Sequence, residues 1–133
     1  MAARSITLIT AYARLALGAA FLSAVASRFG LWNGRPGLAA FDAFVHGYGA
    51  QVLSFMPRAA VLPLLWAATV CETTFGVLLI AGVRVRWVAA ASAVLLALFA
   101  TAMAISFGPK SPLEYSVYSA SACAALLAVV QRR

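Results

Sequence analysis

Four apolar runs of membrane-crossing length leave this chain few ways to fold. Ile6–Ala26, Val61–Val83, Val85–Phe107 and Leu113–Val130 are nearly free of charge. A helix crossing a hydrocarbon core of about 30 Å needs about 20 such residues. The last run is the shortest, close to the lower limit of about 17 residues for a span. With 65% hydrophobic residues, 10% charged residues and a mean hydropathy of +0.97, a water-soluble fold could not cover that apolar surface. The sequence therefore predicts one all-α domain over residues 1–133, a polytopic membrane protein built as an antiparallel bundle of four transmembrane helices.

The first run resembles a secretion signal, because Leu15–Ser23 is an apolar core followed by Ala24-Val25-Ala26. Arg14 makes the basic region before it unusually long, so the segment is expected to be a retained span. Ten basic against three acidic residues give a net charge of +7. The basic residues stand singly or in pairs at the ends of the runs, where they reach the lipid headgroups. No basic face or aromatic-interleaved basic segment exists, so the expected partner is the bilayer and not nucleic acid. Cys71 and Cys123 both fall within runs and form no CxxC motif, which predicts small buried side chains and no metal site.

Two connections lie between the runs on one side. Gly30 to Pro57 opens with the turn cluster Asn33-Gly34-Arg35-Pro36-Gly37. A short amphipathic helix should follow in this first outer loop, with Phe41, Phe44 and Val45 over the bundle mouth and Arg35 and Asp42 facing water. His46, the single histidine, sits near Asp42 and Tyr48 and reads as a solvated or hydrogen-bonded residue. Gly108-Pro109-Lys110-Ser111-Pro112 forms the second connection. The other side carries Arg4, Arg84, Arg86, Arg132 and Arg133, against Arg28, Arg35, Arg58 and Lys110 on the loop side. That balance places both termini in the cytoplasm.

One carboxylate stands where it is costly. Glu72 lies midway along Val61–Val83, and a lone charge near the bilayer centre costs about 3 kcal/mol on insertion scales. It should face protein and have a partner, and the expected partner is Arg14, the one charge inside the first run. Helical spacing places Thr10, Ala11, Arg14, Leu17, Gly18 and Phe21 on one stripe. The facing stripe holds Leu65, Ala68, Thr69, Glu72, Phe75, Gly76 and Leu79. Gly18 and Gly76 each lie one turn from the charge, where small residues let helices approach closely. Tyr12 and Thr69 are candidates to join this polar centre. In the last run Ser116, Ala120 and Ala124 form a small-residue seam.

Several of these positions also form a recognisable pattern. Arg14-x-x-x-Gly18 with Arg28 resembles the first helix of the DoxX-like membrane proteins. Glu72, Gly82 and Arg86 match that family's glutamate–glycine–arginine spacing across the second helix and the turn after it. The resemblance covers nearly the whole chain. It implies a small four-helix protein of the bacterial inner membrane, in a family of which some members are associated with quinone-linked or redox-stress systems and many have no assigned activity. Of the matching positions, Gly18, Gly82, Arg28 and Arg86 are expected to have structural roles, as is Gly76 from its place on the packing stripe. The histidine-glycine often found before the basic residue that closes helix one is missing, with Ala24 and Val25 in that neighbourhood. No histidine-dependent chemistry carries over.

Three functions fit. The first is a membrane-embedded or quinone-interacting subunit of a redox system, with an Arg–Glu polar centre, no intrinsic cofactor and a membrane or redox protein as partner. The second is a structural or partner-binding membrane protein, in which the ion pair fixes helix register. The third, a small transporter, has the least support, because no inverted repeat accompanies the charges. No nucleophile–base set marks a catalytic residue. The small-residue faces also suit a homo-oligomer.

Overall fold

The computed structural model describes residues 1–131, so Arg132 and Arg133 of the basic count lie outside the described residues. The chain is all-α. Helix α1 (Ala2–Arg28) is followed by a short α2 (Leu38–Phe44), a π-helical segment (Val45–Gly49) kinked at Gly47, and the single turn α3 (Ala50–Val52). Next come α4 (Arg58–Ala81), α5 (Val85–Phe107), the short α6 (Lys110–Glu114) and α7 (Val117–Val130). Helices α1, α4 and α5 are long and apolar enough to cross a membrane, and α7 is a shorter apolar helix. This is a multi-pass membrane protein. Its exposed surface is rich in Leu, Ile, Val and Trp, as a lipid-facing surface requires.

Local chemistry sets most helix ends. Pro57 caps α4, and Gly82 ends it with a left-handed φ of 76°. Both Gly82 N–H and Val83 N–H donate to the Leu78 carbonyl, at 2.9 and 3.0 Å. That closure needs a residue without Cβ strain at Gly82. The last apolar run is less regular than its sequence suggests. It is divided at Tyr115–Ser116, where Ser116 adopts a φ of 57° with no glycine or proline at the break. Its 14-residue α7 extends about 21 Å. Of the small-residue seam there, Ser116 is exposed and Ala124 is buried.

The long helices close a ring in which α1 packs on α4, α4 on α5, α5 on α7, and α7 on α1. The α5–α7 and α1–α4 contacts are the most extensive. Leu17, Phe21, Leu79, Val88, Ala124 and Leu127 fill the centre. Backbones approach most closely where α1 crosses α4. A Cβ added to Gly18 would lie 2.9 Å from the Gly76 carbonyl oxygen and 2.7 Å from Ile80 Cγ1. One added to Gly76 would lie 2.9 Å from Leu22. The glycine contact fixes the axial register of the two helices: Arg14 comes level with Gly82, and Arg28 level with Thr69 and Glu72.

Thus α1 ends halfway along α4, and the segment after it fills the remaining half. Phe41 and Val45 are buried against Leu65. Phe41 stacks on Phe29 at 4.9 Å and meets Trp66 at 4.4 Å between ring centroids. Asp42 and Arg35 are exposed. Ser106 Oγ donates to the Val52 carbonyl and ties α3 to α5. At the opposite end, Met1–Ile9 is exposed throughout.

Filling the glycine contact tests this register. Gly18→Leu or Gly76→Leu is expected to cost about 1–3 kcal/mol or more, as overpacking does. Ala19→Leu, on the exposed face of α1, should be nearly neutral. Thermal unfolding in detergent micelles gives the comparison.

Candidate functional site

Glu72 is 3% exposed, among the most enclosed polar side chains of the bundle. It lies on the buried stripe of α4 with Leu65, Thr69, Gly76 and Leu79. Its partner is the guanidinium of Arg28, the last residue of α1, through Nη1 and Oε2. Arg28 Nη1 also donates to Thr69 Oγ1 at 3.1 Å, and that hydroxyl donates in turn to the Leu65 carbonyl at 2.8 Å. The Thr69 hydroxyl is therefore used in both directions. Aromatic faces complete the surroundings, with Arg28 Cζ 5.1 Å from the Phe44 ring centroid and 5.9 Å from that of Phe99. Such faces attract a cation, more strongly where water is excluded.

Arg14 is not the partner of Glu72. Arg14 and Arg28 are fourteen residues apart, close to four helical turns, so both lie on the same face of α1 about 21 Å from each other. Angular position cannot choose between them, and the axial register selects Arg28. The guanidinium of Arg14 instead lies at the end of α4, where a Cβ on Gly82 would sit 2.6 Å from its Nη1. Tyr12 is exposed on the same end of α1 and takes no part in the polar centre. Of the residues named from sequence, Thr69 and Glu72 meet at this site, joined by Arg28. Gly18 and Gly76 hold the register, and Gly82 ends α4. Arg86 lies over Trp87, 4.8 Å from the ring centroid.

A cavity of about 210 Å³ opens beside the ion pair, lined by Arg28, Glu72, Phe44, Tyr48 and Phe99 among others. A second space, of about 350 Å³, reaches Arg28, Phe44 and Tyr48 from the α1 side. A third, an apolar groove of about 320 Å³ between α4 and α5, shares Val52, Leu65 and Phe99 with the first and includes Cys71. The ion pair, the smaller cavity and the apolar groove are therefore contiguous. Sequence reasoning missed Tyr48 and the two aromatic faces at the ion pair. Phe44 and Tyr48 lie in a connecting segment that gave no sign of folding back to mid-bundle, and Phe99 lies in α5, which carries no charge from Trp87 onward to mark it. A further concavity, of about 530 Å³, lies at Asp42, His46 and Arg58. His46 and Asp42 there are both well exposed, with Nδ1 3.5 Å from the carboxylate. Its polar groups are solvated, and nothing charged is held out of water.

Among the described residues no group of three or more His, Cys, Asp or Glu side chains is placed to hold a metal ion. Compared with protein-family models, curated proteins and solved structures, the chain matches none. The DoxX-like resemblance therefore rests on its residue spacing alone.

A double-mutant cycle checks the pairing. Removing one partner of a buried ion pair leaves an uncompensated charge, so Glu72→Gln or Arg28→Met should each cost about 3–5 kcal/mol. Arg28→Met combined with Glu72→Leu should recover much of the loss. Residues in contact show coupling energies of about 0.5–3 kcal/mol, which is expected for Arg28 with Glu72 and not for Arg14 with Glu72.

Proposed function

We propose that this protein is a membrane-embedded component of a redox system that binds a lipid-soluble ring compound of the quinone class at Arg28 and Glu72. The observation that carries this reading is the contiguity of a buried charged pair with a small aromatic-walled cavity and a membrane-facing apolar groove. Ligand sites are mostly apolar, with a few placed polar groups that set orientation. A cavity of about 210 Å³ is below the ~300 Å³ of a typical drug-sized site. It suits a single-ring head group, and the groove at Val52, Leu65 and Phe99 suits the tail.

The chain's own part is binding and orientation. A guanidinium has five N–H donors, and only Nη1 of Arg28 is engaged by Glu72 and Thr69. The remaining donors suit a carbonyl oxygen of the head group, with the Tyr48 hydroxyl as a further donor at the rim. Glu72 holds the guanidinium in place. The DoxX-like spacing of Arg14, Gly18, Arg28, Glu72, Gly82 and Arg86 supports a redox setting and a redox protein partner. The structural reading, in which the pair only anchors the end of α1, leaves the adjoining cavity without a role.

The same reading takes α1, α4, α5 and α7 as an antiparallel four-span bundle in the bacterial cytoplasmic membrane, with both termini in the cytoplasm. Its support is the basic set Arg4, Arg84 and Arg86 at one end, under the positive-inside rule. Single cysteines at Ser5 and Gly34, in a protein with Cys71 and Cys123 replaced, should label from opposite sides with an impermeant thiol reagent. Equal labelling of both from outside intact cells would reject the orientation.

Binding is tested on the detergent-purified protein with decylubiquinone and a short-chain menaquinone, followed through tryptophan fluorescence, since Trp66 stands next to Leu65 of the cavity wall. Saturable quenching is expected, reduced at least tenfold in apparent affinity by Arg28→Gln and by Tyr48→Phe less. A folded protein that shows no saturable binding, or an Arg28→Gln variant that binds as well as the parent, rejects the assignment. Retained partner assembly in the folded Arg28→Met, Glu72→Leu variant would favour the structural reading.

A further inference from the structure

The end of the bundle at the α4–α5 turn gathers cations and, among the described residues, has no acidic side chain. Arg14 places its guanidinium against Gly82, and its Nε is fully enclosed without a hydrogen-bond partner. Arg84 and Arg86 follow two and four residues later in the same turn. The chain has only three acidic residues, Asp42, Glu72 and Glu114. Glu72 is taken by Arg28, and lies ten residues from Gly82, about 15 Å along α4. Asp42 is in α2 beside His46, and Glu114 is in α6 beside Lys110, both in the segments at the other end. The α4 C-terminus supplies a partial negative charge, yet the Leu78 carbonyl there already accepts from Gly82 N–H and Val83 N–H.

A half-buried arginine among apolar helices is costly unless something pairs with it. A guanidinium presents a planar fork that matches phosphate oxygens in two-point hydrogen bonds. Basic pockets between membrane helices are recognised by phospholipid headgroups for this reason. The apolar flanks of the turn favour a lipid over a soluble anion: Leu15, Ile80, Val83 and Trp87 are all exposed there. Tryptophan is enriched at membrane–water interfaces.

We propose that Arg14, Arg84 and Arg86 form a headgroup site for an anionic phospholipid in the leaflet that meets the α4–α5 turn. The phosphodiester sits between the Arg14 guanidinium and the two arginines of the turn, with its acyl chains along the exposed apolar side chains. Gly82 is part of the site in two ways, through its left-handed φ and through the space that its missing Cβ leaves for Arg14. This site is separate from the Arg28–Glu72 cavity and does not depend on what that cavity binds.

The test uses the full-length protein, delipidated in nonionic detergent. Native mass spectrometry and thermal unfolding would be recorded with phosphatidylglycerol, diphosphatidylglycerol, phosphatidylcholine and inorganic phosphate. Anionic lipid is expected to remain bound and to raise the unfolding temperature, with neither effect from phosphatidylcholine or millimolar phosphate. Arg14→Gln should weaken anionic-lipid binding at least tenfold. Arg84→Gln with Arg86→Gln should do the same from the turn itself, and decides the question if Arg14→Gln fails to fold. Arg58→Gln, at the other end of α4, should leave binding unchanged. Equal binding of phosphatidylcholine, or undiminished anionic-lipid binding in the Arg84→Gln, Arg86→Gln variant, overturns the proposal. Saturation by inorganic phosphate at similar affinity overturns the lipid assignment in favour of a soluble anion.

Discussion

An ion pair in the apolar middle of this bundle depends on where α1 stops. Arg28 reaches Glu72 because α1 ends about halfway along α4, and it ends there because Gly18 and Gly76 fix the two helices in one axial position. In lipid no hydrophobic force draws helices together, so close packing at small residues sets the register. The charges then meet the partners that this register provides. A shift of one turn along the axis, about 5.4 Å, would take Arg28 away from Thr69 and Glu72 and leave two charges buried alone.

Ending α1 early creates a second requirement. The chain must return alongside the free half of α4, and it does so as α2, the π-helical segment and α3, packed on α4 and α5. Trp32 Nε1 donates to the Ser23 carbonyl at 3.1 Å, which folds the loop back onto α1. Irregular backbone inside a membrane bundle is tolerated only where protein buries it or where it lines a cavity. Both conditions hold here, since Tyr48 and Gly49 of the π-helical segment line the space beside the ion pair. Val117, just after the break that separates α6 from α7, lines it too. Interrupted helices around a charged centre are a common design for sites within membranes.

Charge scarcity ties the two ends together. With three acids for ten basic residues, the protein can neutralise few of its cations internally. It uses its one buried carboxylate at mid-bundle, where an unpaired guanidinium would cost most, and leaves the cations of the α4–α5 turn without an acidic side chain among the described residues. The same economy separates an ion pair flanked by aromatic rings from a basic turn with exposed apolar neighbours.

The sequence by itself determined the environment, the helical class and the faces. Run length and scarcity of charge require membrane helices, and three-to-four periodicity placed Leu17, Gly18 and Phe21 opposite Leu65, Thr69, Glu72, Gly76 and Leu79, all of them buried. It also marked Glu72 as a residue in need of a partner, and Phe41, Phe44 and Val45 as the packing face of the loop helix, of which Phe41 and Val45 are buried and Phe44 is partly buried. Tertiary structure alone decided which arginine that partner is. Arg14 and Arg28 share one face of α1, so periodicity treats them alike, and the depth of each depends on how far α1 slides along α4. Only the contact of two backbones at Gly18 and Gly76 sets that distance. The fold-back of the loop that brings Tyr48 and Phe44 to Arg28, and the break at Ser116, likewise follow from contacts between segments distant in sequence, which no local pattern encodes.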